Sequence, residues 1–326
     1  MTPTSLQEQL TKYLTDAHSI EQQAIAQMRT APELARDPSI ASAFERHREE
    51  TEHHEELVKQ RLEARGASRS KVKDLVGALT GKGFVAFARS QPDTPGKLVT
   101  HAYSYEHMEL AAYDLLARVA DAAGDEQSAQ AARHILSQEQ AMAQRLEGLF
   151  DNAVGASLQE LSPDDLGSQL DTYLADAHAI EAQAKTLLGK GPALAGAPQL
   201  AVVYEEHLAE TEQHSRLLEE RLSARGASPS SLKDAALSLG ALNWGLFFAA
   251  QPDTPAKLAA FAYAFEHLEI GAYEMLRRVA ARAGDEQTVR IAEQILIQEH
   301  AAADRIRSLL AVALDAGLHE QGVAAR

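Results

Sequence analysis

The sequence predicts an all-α chain made of two tandem four-helix bundles, and three observations predict it. Runs of Ala, Leu, Glu, Gln and Arg dominate, and no strand-like alternation persists. The second half repeats the first at a constant offset of 160 residues, Tyr13 to Tyr173 (173 − 13). Both halves place carboxylates and histidines inside helical stripes that are otherwise apolar. YLTDAHSIE around Glu21 recurs as YLADAHAIE around Glu181, and HREETEHH around Glu50 recurs as HLAETEQH around Glu210. YSYEHMELAAY around Glu106 recurs as YAFEHLEIGAY around Glu266, and SQEQA at Glu139 recurs as IQEHA at Glu299.

The first helix is expected over 5–28 and the second over 38–65, stopping at Gly66, a residue suited to a helix C-terminus. A shorter helical crossover follows over 71–89 and ends at Gln91-Pro92-Asp93-Thr94-Pro95. The third helix covers 95–123 and stops at Gly124, and the fourth covers 125–152. The second half repeats these boundaries at Gly226, at QPDTP over 251–255 and at Gly284. The bundles therefore occupy 1–154 and 168–326. Between them lies a linker, 155–167, in which Ser162-Pro163 starts the next helix. Residues after Leu314 are small and polar and are expected to fray.

With 326 residues the chain has room for two full cores. Its 31 Lys and Arg against 47 Asp and Glu give a net charge of −16. That balance argues against nucleic acid and anionic membranes, and it suits attraction of cations. With no cysteine, disulfides, zinc–thiolate sites and iron–sulfur clusters are excluded. The opening MTPTSLQEQLTKYL has no basic segment followed by an apolar core, so the expected location is cytoplasmic. The most apolar stretch, 235–250, is too short and too interrupted to cross a bilayer of about 30 Å. It reads as a crossover packed on its bundle. Contact of Trp244, Phe247 and Phe248 with a membrane or a second subunit is the alternative.

Successive helical residues turn by about 100°, so faces can be assigned. One stripe holds Leu14, His18, Glu21, Ile25 and Met28. A second holds Phe44, His47, Thr51, His54, Val58 and Leu62, with Glu50 at its edge. A third holds Tyr103, Glu106, Leu110 and Tyr113, flanked by His107 and Glu109. The fourth holds Ile135, Glu139, Met142, Leu146 and Leu149. Buried ionised groups are costly unless paired or bound to metal. Carboxylates and imidazoles converging from four helices are the donors that iron and manganese accept.

The candidate ligands are Glu21, Glu50, His54, Glu106, Glu109 and Glu139, with Glu181, Glu210, His214, Glu266, Glu269 and Glu299 in the second half. His54 is preferred to His53 because it lies on the stripe and recurs as His214, whereas His53 becomes Gln213. Glu109 and Glu269 also read as surface residues beside the stripe. His18 and His47 read as partners of ligands, as satisfied core histidines, or as ligands. Glu52, Glu55 and Glu56 read as solvated charge. The tyrosines Tyr103, Tyr113, Tyr263 and Tyr273 read as core residues that hydrogen-bond a carboxylate. Without metal, the same Glu–His networks would set the register of the bundle.

HSIEQQ around Glu21, HREETE with His54 and Gly66, YEHMELAAY and Glu139 together resemble the YciE/YciF-like family of ferritin-like bacterial stress proteins. The resemblance covers both halves nearly end to end. It implies two ferritin-like, rubrerythrin-like bundles fused in tandem, packing on one another as a built-in pseudo-dimer, with a role in oxidative or general stress. It also implies iron or manganese, singly or as a di-metal pair. The partners would be a small oxidant (peroxide or O₂) or ferrous ion, and an external electron donor. One departure stands out. Di-iron bundles usually carry a second ligand one turn after the fourth-helix glutamate, where this chain has Met142 and Ala143, and Ala302 and Ala303. A mononuclear or asymmetric site, or recruitment of His18 or His47, would follow. The competing reading is a non-catalytic stress protein whose surface binds a partner.

Overall fold

The computed structural model describes residues 5–67, 94–159, 161–162, 165–229 and 253–323. Every regular element among them is a helix, twelve in all. The first compact unit runs to Ser157 and also takes in the chain from Gln321, and the second covers Leu158–Glu320, ending short of the 168–326 expected. The crossovers expected at 71–89 and its repeat, with the apolar stretch 235–250, lie outside the described residues. No helix among the described residues is long and apolar enough to cross a membrane.

The first unit contains α1 (Leu6–Met28), α2 (Ala31–Leu34), α3 (Pro38–Ala64), α4 (Thr94–Ala122), α5 (Glu126–Glu147) and α6 (Phe150–Leu158). Helices α1 and α3 pack as one pair and α4 and α5 as the other, with α1 facing α4 and α3 facing α5. That arrangement brings the four stripes onto one axis. Ser5 starts α1 by accepting from the Glu8 amide at 3.2 Å. Asp37 starts α3 by accepting from the Ser39 and Ile40 amides at 2.9 and 3.0 Å, with Pro38 pre-set for the first turn. Gly66 ends α3 at φ 67°, a conformation that costs little only for glycine.

The second unit repeats the plan with α7 (Leu166–Leu188), α8 (Gly191–Leu194), α9 (Pro198–Ala224), α10 (Thr254–Arg282), α11 (Glu286–Ser308) and α12 (Leu310–Glu320). Pairs α7/α9 and α10/α11 form its bundle. Each unit closes one end of its bundle with an aspartate latch. Asp125 caps α5 through the Ser128 amide at 3.0 Å and binds Arg61 and Arg65 at 3.2 and 3.0 Å. Asp285 caps α11 through the Thr288 amide at 3.0 Å, binds Arg225 at 2.7 Å and also binds Arg221.

Four expectations change. The fourth helix is not continuous over 125–152, because α5 ends at Glu147 and α6 starts at Phe150. The second unit breaks at the same register, between Ser308 and Leu310, without a glycine there. Packing therefore sets the break: Phe150 meets the Tyr103 ring edge-on at 5.5 Å. The chain after Leu314 stays helical to Glu320 rather than fraying there. Helix α12 buries Ala313, Leu314, Gly317 and Leu318, whose spacing makes one apolar face against α10. The linker is shorter than 155–167, since α6 runs to Leu158 and α7 starts at Leu166 rather than at Ser162-Pro163. Ser162 instead bonds the Asp165 carboxylate at 2.7 Å. The short helices α2 and α8 were not expected at all.

Candidate metal centre

In the first unit two sets of possible ligand atoms lie deep in the core, one from His47, Glu106, Glu109 and Glu139 and the other from Glu21, His54 and Glu139. Within each set the atoms lie inside 4.8 Å of one another. Glu139 belongs to both. Its Oε2 lies 3.2 Å from His47 Nε2 and its Oε1 lies 2.8 Å from His54 Nδ1. His47 Nε2 is also 3.1 Å from Glu106 Oε2, and His54 Nδ1 is 3.7 Å from Glu21 Oε2. Helix α5 thus offers a single carboxylate whose two oxygens serve two neighbouring sets.

The atoms meet without bonding one another properly. Glu21 Oε2, His47 Nε2, His54 Nδ1, Glu106 Oε2 and both oxygens of Glu109 and of Glu139 are buried and make no hydrogen bond of acceptable geometry. Native cores rarely leave such groups unsatisfied. All point at the same small volume, as ligands around a cation do.

The outward-facing atoms of these groups are held firmly. Glu50 Oε2 accepts from His47 Nδ1 at 3.1 Å, which leaves Nε2 facing inward. His54 Nε2 donates to the amide oxygen of Gln138 at 2.9 Å, which leaves Nδ1 facing inward. Tyr113 donates its hydroxyl hydrogen to Glu21 Oε1 and leaves Oε2 free.

The charge balance points the same way. Burial pushes Glu21 up to about 8, helped by the Glu139 charge. Burial also pushes Glu106 up to about 7, although His47 opposes it. Glu109 rises well above the carboxylate range through burial and the neighbouring carboxylates. Burial works against Glu139 too, but the His47 and His54 rings outweigh it and hold that carboxyl down at about 2. Without a cation the core holds protons where positive charge is needed. Two divalent ions would match the four carboxylates Glu21, Glu106, Glu109 and Glu139 charge for charge.

The second unit repeats the arrangement. His207, Glu266, Glu269 and Glu299 form one set, and Glu181, His214 and Glu299 the other. Glu299 bridges them, 3.3 Å from His207 Nε2 and 2.9 Å from His214 Nδ1. His207 Nε2 lies 2.8 Å from Glu266, and His214 Nδ1 lies 3.4 Å from Glu181. Glu210, Gln298 and Tyr273 hold His207, His214 and Glu181 from behind.

Of the residues read from sequence as ligands, the structure brings together Glu21, His54, Glu106, Glu109 and Glu139, and Glu181, His214, Glu266, Glu269 and Glu299. Glu50 and Glu210 stand outside both sets, half-buried, and accept from the histidines behind the cluster. The inward position on α3 and α9 belongs to His47 and His207. Each is one turn before Glu50 or Glu210, and a place on the apolar stripe was the available signal. His53 is exposed. His18 lies outside the sets and pairs at 2.8 Å with Glu55, which is therefore not simply solvated charge. Its repeat, His178, pairs with Glu219 at 3.0 Å.

A family profile described as a domain of unknown function (DUF892) matches residues 5–159 and again 166–318. No solved structure matches the chain.

Proposed function

The chain belongs to the DUF892 family, whose domain it carries twice in the ferritin-like superfamily, and from that premise we propose that each unit holds a pair of iron or manganese ions and acts as an oxidoreductase on peroxide, O₂ or ferrous ion. The sharing of Glu139, and of Glu299, between two ligand sets carries the proposal. The holders would be Glu21, His54 and Glu139 on one side and His47, Glu106, Glu109 and Glu139 on the other. Iron or manganese on such donors would supply open positions for a small oxidant and an accessible one-electron couple. His47, on α3, would supply the donor that the fourth-helix position after Glu139 lacks.

The protein's own groups do the rest. The apolar stripes exclude water, so each charge in the core acts strongly. Tyr113 keeps Glu21 turned inward. His47 Nδ1 and Glu50 Oε2 connect the buried cluster to a half-exposed carboxylate, a path for a proton between core and solvent. Arg305 steadies that carboxylate in the second unit, at 2.7 Å from Glu210. Lacking cysteine, the chain would take electrons from an external donor. An oxidative-stress role fits this chemistry.

The test is elemental analysis of purified full-length chain after growth with iron and manganese. About four metal ions per chain are expected, two per unit, followed by turnover in peroxide or ferroxidase assays. A metal-free chain, even after anaerobic reconstitution, would overturn the proposal. A structural reading has one observation in its favour: His54 Nδ1 and Glu139 Oε1 lie 2.8 Å apart, within ion-pair distance of one another. On that reading, paired Glu21→Ala and Glu181→Ala changes would alter stability alone.

A further inference from the structure

The two units share their ligand residues but differ where the cluster meets the neighbouring packing. In the first unit a cavity of about 20 Å³, walled mainly by Ala24, Met28, Phe44, Leu98 and Ala102 together with Gln27 and Tyr105, reaches Glu106. That is room for about one water-sized molecule against a mostly apolar wall. Advancing by the repeat offset, Phe44 becomes Tyr204, Tyr105 becomes Phe265 and Ala31 becomes Gly191. The hydroxyl has moved from α4 to α9. In the first unit Tyr105 donates to the Ile20 carbonyl at 2.9 Å. In the second, the Tyr204 hydroxyl is buried and has no hydrogen-bond partner among the described residues.

Gly191 makes the placement specific. A Cβ there would come within 2.7 Å of the Tyr204 ring, so the ring rests on the glycine. Gly191 has no left-handed φ that would otherwise call for glycine. Ring and glycine thus change together relative to Phe44 and Ala31. Phe44 and Glu106 line the first-unit cavity together, which puts Tyr204 beside Glu266 at the repeat positions, and a phenol keeps its O–H as a donor at neutral pH.

Resting on the metal reading above, we propose that Tyr204 is a specificity-determining residue of the second centre. Its hydroxyl donates a hydrogen bond to a small ligand bound beside Glu266 that presents an oxygen or nitrogen lone pair, of the class of peroxide, hydroxide or azide. Phe44 gives the first centre an apolar space instead, suited to a small ligand such as O₂. The two fused copies are then complementary rather than redundant: one favours an apolar diatomic and the other a hydrogen-bonded ligand.

The test titrates azide into iron-loaded full-length chain, read by visible ferric–azide absorption, with metal content measured on the same sample. Two classes of site are expected, the tighter by about three- to tenfold, the worth of one hydrogen bond. Tyr204→Phe should leave only the weaker class at unchanged metal content. Transplanting the pair into the first unit, as Phe44→Tyr with Ala31→Gly, should convert its weak class to tight. This second variant decides the matter should Tyr204→Phe fold poorly. Equal azide affinity in wild type and variants at full metal content overturns the role of Tyr204 and leaves the metal reading standing. A chain that takes up no metal overturns both.

Discussion

On the metal reading proposed above, Glu109 and Glu269 serve binding at the expense of stability, and replacing both by leucine separates the two effects. Each carboxylate is wholly buried and neither oxygen finds a hydrogen bond. Burial, then the neighbouring carboxylates, hold the folded value of each well above the ordinary range. The sign follows from linkage. Above about pH 4.3 the unfolded chain has released this proton while the folded chain keeps it, so stability falls as pH rises through that window. At about 1.4 kcal/mol per pH unit over the roughly 2.7 units to pH 7, the ceiling is about 4 kcal/mol per centre. Leucine has similar volume and needs no proton. Urea unfolding of metal-free Glu109→Leu, Glu269→Leu chain should therefore show higher stability at pH 7, by about 1–4 kcal/mol per unit. The gap between variant and wild type should close as pH is lowered toward 4. Metal content should drop in the same protein. A variant less stable than wild type in metal-free form, or one that keeps its full metal complement, refutes the reasoning.

The remaining predictions concern the groups around the clusters. Tyr113→Phe with Tyr273→Phe strands one oxygen of Glu21 and of Glu181; metal affinity should weaken about 10-fold or more in competition with a chelator, with about 1–3 kcal/mol lost per site in urea. His54→Ala with His214→Ala should empty part of each centre by elemental analysis, whereas His53→Ala should leave metal content as it was, since His53 is exposed. Asp285→Ala removes the α11 cap and two arginine partners and should cost about 1–3 kcal/mol in urea. Burial opposes the charge of Asp285, but Arg221 outweighs it and the folded value falls to about 2. Its contribution is therefore present above the ordinary aspartate range and is lost as pH falls through about 2. Chelation should lower the thermal midpoint of wild type, in proportion to the logarithm of metal concentration over its dissociation constant, and should barely move that of the Glu139→Ala, Glu299→Ala chain.

Much of the architecture was legible because it depends on local rules. Helical periodicity put Glu21, His54, Glu106 and Glu139 on inward faces, and the glycines at 66, 124, 226 and 284 marked helix ends. Adjacency on one turn separated His54 from His53, because neighbours point about 100° apart. The 160-residue offset predicted two copies of everything in the site. What failed were matters of packing. The break after Glu147 and the ordered α12 come from contacts between helices, which intrinsic propensity does not report.

The choice of ligands on α3 shows the division most clearly. His47 and Glu50 lie three residues apart, at the centre and the edge of one stripe, and sequence offers both as donors. Which of them reaches the core depends on how α3 is rotated against α4 and α5, a quantity set by side chains far apart in the chain. That rotation turns His47 inward and leaves Glu50 behind it as an acceptor. The double role of Glu139 is decided in the same way, since a bridge exists only where two sets from four helices meet. Sequence by itself determined the helices, their inward faces, the repeat and the kind of chemistry the core can hold, because those follow from residue type and local periodicity. Only the tertiary structure decided which donors converge and that one carboxylate is shared, because convergence is a property of helix packing.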